Sequence, residues 1–177
     1  MEQEKNKNEN QEIKQEEEKP KEEKKVEEEL DNNYEKLPQD YKKYDFNYKI
    51  IIIGDSGVGK TCLMNYATKG KFINNVSQTL GFDYNPFVLR YKEKVIKLEI
   101  WDTCGQEAYR SLIDGFFNNS SLAIIVYGIH DEKTFNSVNG WIRQSKNKCS
   151  PETKFVLIGN KADLDKEQSV YIKFNIS

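Results

Sequence analysis

The segment Gly54-Asp55-Ser56-Gly57-Val58-Gly59-Lys60-Thr61 most constrains what this chain can fold into. Its glycines let the backbone turn with positive φ, so that successive N–H groups and the start of a following helix face a negative charge. Lys60 can then reach the β- and γ-phosphates of a nucleotide, and the Thr61 hydroxyl can bind Mg²⁺. The apolar run 50–53 predicts a buried strand just before it. The segment therefore predicts a phosphate-binding loop between a strand and a helix.

A second segment, Asn160-Lys161-Ala162-Asp163, follows another apolar run at 155–158. Parallel strands bring their carboxyl ends to one edge of a sheet, where open α/β sheets bind ligands. The polar groups of this segment suit a guanine, because the Asp163 carboxylate accepts hydrogen bonds for which adenine has no matching donors. The two segments together predict a guanine-nucleotide site, and they disfavour an enzyme that uses ATP.

The middle of the chain supplies groups for metal binding and hydrolysis. Asp102 ends an apolar strand pattern and can hold Mg²⁺ through water, while the Gly105 N–H can contact a γ-phosphate. Gln106 can orient the attacking water, which hydrolysis needs in line with the leaving oxygen. Thr79, in a polar loop, can complete the metal shell when a γ-phosphate is present.

Alternating patterns along the chain predict an α/β fold with a mostly parallel sheet flanked by helices. Two patterns separated by a short charged turn predict a hairpin. The predicted strands are 50–53, 87–91, 95–101, 122–127 and 155–158, and the predicted helices are 60–68, 106–117 and 133–146.

The N-terminal part has a different composition, with 10 lysines and 16 acidic residues among residues 1–45 and almost no apolar side chains. Such a segment cannot bury enough surface to form a core. We expect residues 1–45 to be a disordered Lys/Glu-rich extension and residues 46–177 to be the folded domain. An isolated amphipathic helix or coiled coil is the alternative for the extension.

Several classes of protein are disfavoured. Three separate cysteines and one histidine argue against zinc sites and disulfide frameworks. No stripe of basic and aromatic residues points to nucleic acid. The sequence has no apolar run long enough to span a bilayer and no cysteine near its end for prenylation. A cytoplasmic protein without an intrinsic membrane anchor is expected, and association with an endomembrane would need a lipid anchor.

Residues 48–164 resemble the Ras superfamily of small GTPases, and within it they look most like the Rab family. The phosphate-binding segment, extended through Cys62 and Leu63, carries the resemblance together with four other strings. These are Thr79-Leu80-Gly81-Phe82-Asp83-Tyr84, Lys97-Leu98-Glu99-Ile100-Trp101, Tyr109-Arg110-Ser111 and Ile158-Gly159-Asn160-Lys161.

The resemblance implies a P-loop small-GTPase fold that binds GTP or GDP with Mg²⁺ and hydrolyses GTP slowly, with Gln106 and Lys60 as catalytic residues. Thr61, Thr79 and Asp102 would hold the metal. The residues expected to bind the nucleotide are Asp55, Ser56, Gly57, Val58, Gly59, Lys60, Thr61, Cys62, Phe72, Thr79, Gly105, Asn160, Lys161 and Asp163. Phe72 would pack near the base and Lys161 along it.

A Rab-like protein would act as a switch in vesicle-mediated transport, with an exchange factor, a GTPase-activating protein and effectors as partners. The sequence ends fourteen residues after Asp163, so we expect the last strand and helix of the family's fold to be lacking. The alternative function is a catalytically inactive, truncated P-loop protein that serves as a nucleotide-binding or protein-interaction module.

Overall fold

A computed structural model describes residues 34–73, 77–105 and 113–164 of the chain. These residues form one mixed sheet with helices packed on it. The strands are β1 (Tyr34–Leu37), β2 (Phe46–Ile53), β3 (Phe82–Tyr91), β4 (Lys94–Thr103), β5 (Leu122–Gly128) and β6 (Lys154–Asn160). The helices are α1 (Lys60–Lys69), α2 (Glu132–Asn136) and α3 (Val138–Lys148), and a 3₁₀ turn spans Asp114–Phe116.

The sheet has the strand order β1-β3-β4-β2-β5-β6. Strands β4, β2, β5 and β6 run parallel to one another, whereas β3 is antiparallel to both β4 and β1. The predicted α/β fold with a mostly parallel sheet is therefore confirmed. The predicted hairpin is also present, and its strands are longer than the predicted runs: β3 begins five residues earlier, with exposed and half-buried residues, and β4 continues through the buried Asp102 and Thr103.

The central strand β2 is buried on both faces, which is typical of a parallel sheet covered by helices on each side. Ile51 and Ile53 pack with Trp141 of α3 on one face. Ile50 and Ile52 pack with Met64 of α1 on the other. Four isoleucines can therefore follow one another in the sequence, because successive side chains point to opposite faces of the sheet and both faces are covered by apolar residues.

The predicted helix at 133–146 is observed as two helices separated by one residue, Ser137, which keeps helical backbone angles of φ −71° and ψ −19°. Asp131 caps α2 by accepting a hydrogen bond from the Lys133 N–H at 3.0 Å. Most of the helix predicted at 106–117 lies outside the described residues. No helix in the described part of the chain is long and apolar enough to cross a membrane.

The structure differs from the domain boundary expected at residue 45. Tyr34–Leu37 form β1 and pair with β3, and the compact unit that contains the sheet begins at Tyr34. The amino-acid composition did not indicate this strand, because β1 is held mainly by backbone pairing and buries only Leu37, beside Val88 and Val95. Residues 1–33 and the region after Leu164, where the last strand and helix were expected to be lacking, lie outside the described residues.

Candidate functional site

A cavity of about 390 Å³ lies where parallel strands β2, β4 and β6 end. Its lining combines backbone N–H groups, hydroxyl groups and two lysines, a set suited to an anion. The lining residues are Ser56, Gly57, Gly59, Lys60, Thr61, Cys62, Ser77, Gln78, Thr79, Thr103, Cys104, Gly105 and Lys161.

The two segments singled out in the sequence are in direct contact. The Asn160 side-chain amide donates to the Val58 carbonyl oxygen at 2.8 Å. Gly59 sits at φ 96°, and a Cβ there would come within 2.4 Å of Asn160 Nδ2. A larger residue at position 59 would be strained and would also push the second segment away. The loop after β6 is therefore held against the phosphate-binding loop.

Lys60, the first residue of α1, is 6% exposed. Its ammonium donates to the carbonyl oxygens of Gly54 and Asp55, both at 2.8 Å. Burial lowers the pKa of Lys60, and the nearby Asp102 carboxylate offsets this lowering only in part. The ammonium is thus a buried positive charge that a negative ligand in the cavity would stabilise.

Asp102, at the end of β4, forms an oxygen-rich corner with two threonines. Its Oδ2 accepts hydrogen bonds from Thr61 and, at 3.4 Å, from Thr79, and the two threonine hydroxyls are 2.8 Å apart. Its Oδ1 is buried and has no hydrogen-bond partner among the described residues. Burial raises the pKa of Asp102 against the attraction of Lys60. An unpaired buried carboxylate oxygen beside two hydroxyls fits the oxygen ligands that Mg²⁺ prefers.

The loop carrying Gly105 lies against the phosphate-binding loop. A Cβ on Gly105 would lie 2.4 Å from the Asp55 carbonyl carbon and from the Ser56 nitrogen. The Cys104 N–H donates to the Gly81 carbonyl oxygen at 2.8 Å, which joins this loop to the one carrying Thr79. Thus the two loops expected to meet a γ-phosphate also contact each other.

Two residues of the phosphate-binding segment turn their side chains away from the cavity. Val58 packs in the core with Met64. Asp55 Oδ1 accepts a hydrogen bond from the Trp141 indole N–H at 2.8 Å. Both residues can therefore offer only backbone groups to a ligand, and α3 holds the loop from behind. Sequence reasoning missed Trp141, because a tryptophan on the apolar face of a helix looks like an ordinary core residue.

The other residues that are expected to bind the nucleotide differ in how close they lie to the cavity. Phe72 is 67% exposed and Asp163 is also exposed, and neither lines the cavity. Cys62 lines it as expected. Gln106 lies outside the described residues. Four of the lining residues were not expected at the site, namely Ser77, Gln78, Thr103 and Cys104.

Comparison with known proteins agrees with this geometry. The sequence model described as "Ras family" matches residues 49–174. The chain is 37% identical over 127 residues to the human Ras-related protein Rab-4B, covering 72% of this chain and 60% of that protein. It is 39% identical over 127 residues to Ras-related protein Rab-8B of Dictyostelium discoideum, covering 72% and 63%. It is 38% identical over 125 residues to Ras-related protein RAB1BV of Beta vulgaris, covering 71% and 58%.

The chain spans about three fifths of the length of these relatives. Its match to the family includes the phosphate-binding loop, the Asp102 corner and the segment after β6. The sheet order, the cavity at the strand ends and the sequence match all agree. The chain belongs to the Ras family, as a Rab-like small GTPase.

Proposed function

We propose that this chain binds GTP and GDP together with Mg²⁺, hydrolyses GTP slowly, and acts as a Rab-like switch in vesicle-mediated transport. The observation that carries the proposal is the buried Oδ1 of Asp102, which has no hydrogen-bond partner in the part of the chain that the structure describes and belongs to a carboxylate that contacts the Thr61 and Thr79 hydroxyls. Burying an unsatisfied carboxylate oxygen is costly, so its presence next to Thr61 and Thr79, which line the cavity, favours a function that satisfies it.

The phosphate groups would lie in the cavity between Lys60 and the backbone N–H groups of the loop. The Lys60 ammonium has three donors, and two of them are directed at the Gly54 and Asp55 carbonyl oxygens. Those two bonds keep the ammonium over the loop while its charge remains available to a phosphate. The N-terminus of α1 adds a partial positive charge at the same place.

Thr61, Thr79 and Asp102 would hold the metal ion. When bound, Mg²⁺ neutralises phosphate charge and fixes the orientation of the phosphate oxygens. Since Thr79 lies in one loop and the Cys104–Gly81 hydrogen bond joins it to the other, a γ-phosphate would order both loops together. Loss of that phosphate would release them, which is the physical basis of a switch.

For hydrolysis, we propose that Gln106 orients the attacking water and that Lys60 stabilises charge on the transferred phosphoryl group. The segment 54–61 contains no arginine that could stabilise the transition state from within the loop. Intrinsic turnover is therefore expected to be slow, and a GTPase-activating protein would accelerate it. An exchange factor would be needed for rapid nucleotide release.

Guanine recognition is assigned to Asn160, Lys161 and Asp163, with Phe72 packing near the base. Asn160 already holds the two loops together through Val58, which supports its place beside a bound base. The exposure of Asp163 and Phe72 is compatible with this assignment because the base would lie at the mouth of the cavity. The role in vesicle transport and the effector partners are inferred from the similarity to the Rab-related proteins.

The first prediction concerns base choice. Asp163→Asn removes an acceptor for two guanine protons, so GTP affinity should fall by about tenfold to a thousandfold, the range for a lost charge-assisted pair. Titration with fluorescent GTP and ATP analogues measures it, with the exposed Asp40→Asn as a matched control that should keep the parent's affinity. Equal affinity of the parent for both nucleotides would refute the guanine assignment.

The second prediction concerns catalysis. Gln106→Leu should leave GTP binding nearly unchanged and slow phosphate release by about tenfold or more, because only the positioning of water is lost. Single-turnover phosphate release is the measurement, and the exposed Gln39→Leu serves as the control. If the parent binds GTP but releases no phosphate, the inactive nucleotide-binding module becomes the better account.

The third prediction concerns Asp102, whose pKa burial raises above its ordinary value of 3.8. The folded state therefore holds this proton more tightly than the unfolded state. Stability is lost progressively as the pH rises from the unfolded-state pKa to the raised folded-state pKa, and the loss is complete above the raised pKa. Asp102→Asn should stabilise the nucleotide-free protein relative to the parent, and the gain should grow from about pH 4 to about pH 7.

The same Asp102→Asn variant should lose the tightening of nucleotide binding that Mg²⁺ gives the parent. Urea unfolding at the two pH values and nucleotide titration with and without Mg²⁺ are the measurements. A variant that is less stable than the parent at neutral pH, or that keeps its response to Mg²⁺, would contradict the role given to Asp102.

A further inference from the structure

The edge of β3 that faces away from β4 is only half covered. β1 pairs antiparallel with Val88–Tyr91, in a register that sets Glu35 opposite Arg90 and Leu37 opposite Val88. In the described part of the chain, no strand pairs with residues 82–87 on that side. Unpaired N–H and C=O groups at a strand edge are a template for another polypeptide strand.

The contacts that hold β1 are few. Leu37 is the buried residue of the strand, packed against Val88 and Val95. The ring of Tyr34 meets Phe87 edge-on at 6.1 Å between centroids. The Glu35–Arg90 ion pair joins side chains that are 60% and 39% exposed, so it adds little stability in water.

β1 is accordingly short and weakly held. Ordering its four residues costs backbone entropy, and one buried side chain offsets that cost only in part. Pro38 follows immediately and its carbonyl oxygen accepts a hydrogen bond from the Tyr41 N–H at 3.0 Å, so the chain turns there and β1 does not extend over residues 82–87. The strand therefore has the features of an element that can detach while the rest of the sheet stays folded.

β1 pairs with the end of β3 that lies away from the candidate site, since Thr103 of the cavity lining pairs with Phe82 at the other end of that strand. Lys36 donates to the Thr68 carbonyl oxygen in the last turn of α1, the helix that begins at the phosphate-binding loop. The uncovered part of the β3 edge runs toward Gly81 and Thr79. β1 also precedes residues 49–174, which match the Ras family, so the family match does not account for it.

We propose that β1 is an intramolecular cover strand, which occupies the β3 edge at residues 88–91 and competes there with an extended strand from another polypeptide. The competing strand would run antiparallel to β3, with an acidic residue opposite Arg90 and an aliphatic residue opposite Val88, as β1 has. Once β1 is displaced, a longer strand could also pair with residues 82–87. Access to this edge is thus controlled by the chain itself.

The test uses a fluorescein-labelled peptide of residues 31–41 and three forms of the full chain. These are the parent, Leu37→Asp to release β1, and Glu35→Cys with Arg90→Cys to lock it by a disulfide across directly opposed positions. A peptide carrying L37D is the control ligand. Polarisation titration gives the affinities, and hydrogen exchange at residues 88–91 reports whether β1 is paired.

The peptide should bind the release variant at least about tenfold more tightly than the oxidised locked variant, because apparent affinity scales with the fraction of free edge. Reducing the disulfide should restore the parent's affinity, and the control peptide should bind none of the three. Exchange at residues 88–91 should be faster in the release variant, while β2 and β5 keep their protection. Equal affinity for all forms, no binding to the release variant, or unchanged exchange would each overturn the proposal.

Discussion

The candidate site depends on two opposite charges that are buried near the carboxyl ends of neighbouring parallel strands. The Lys60 ammonium and the Asp102 carboxylate attract each other, yet burial still lowers the pKa of the first and raises that of the second. Each charge is therefore stabilised less in the fold than it would be in water. The loops around them are held in place by backbone hydrogen bonds and by the Asn160–Val58 contact. Lys60 lines the cavity directly, and Asp102 lies behind Thr61 and Thr79, which also line it. A phosphate near Lys60 and a cation near Asp102 would stabilise both.

The sequence predicted the centre of the fold well because its signals there are local. A run of isoleucines followed by a glycine-rich loop requires a buried strand, a tight turn and a helix start, and β2 and α1 have these positions. The spacing of Asp102 after its strand also predicted its place near Thr61, since parallel strands end at a common edge. These features could be predicted because each depends on the backbone conformation of a few residues that are close together in the sequence.

Other features could not be predicted because they depend on contacts between distant residues. The pairing of β1 with β3 joins residues more than fifty positions apart and buries one leucine, so composition alone assigned the segment to a disordered extension. The Trp141–Asp55 hydrogen bond links α3 to the phosphate-binding loop across 86 positions. Neither contact leaves a local pattern in the sequence, because each joins residues that are far apart along the chain.

The central claim is that the buried corner formed by Lys60, Asp102 and the two threonines is completed by a guanine nucleotide together with Mg²⁺. The most direct measurement is the thermal midpoint of the nucleotide-free chain with GDP, with Mg²⁺, and with both. Ligands that bind only the folded state stabilise it by RT ln(1 + [L]/Kd) and so raise the midpoint. The account predicts a large rise with both together that exceeds the sum of the two separate effects. Additive effects, or no response to either ligand, would contradict it.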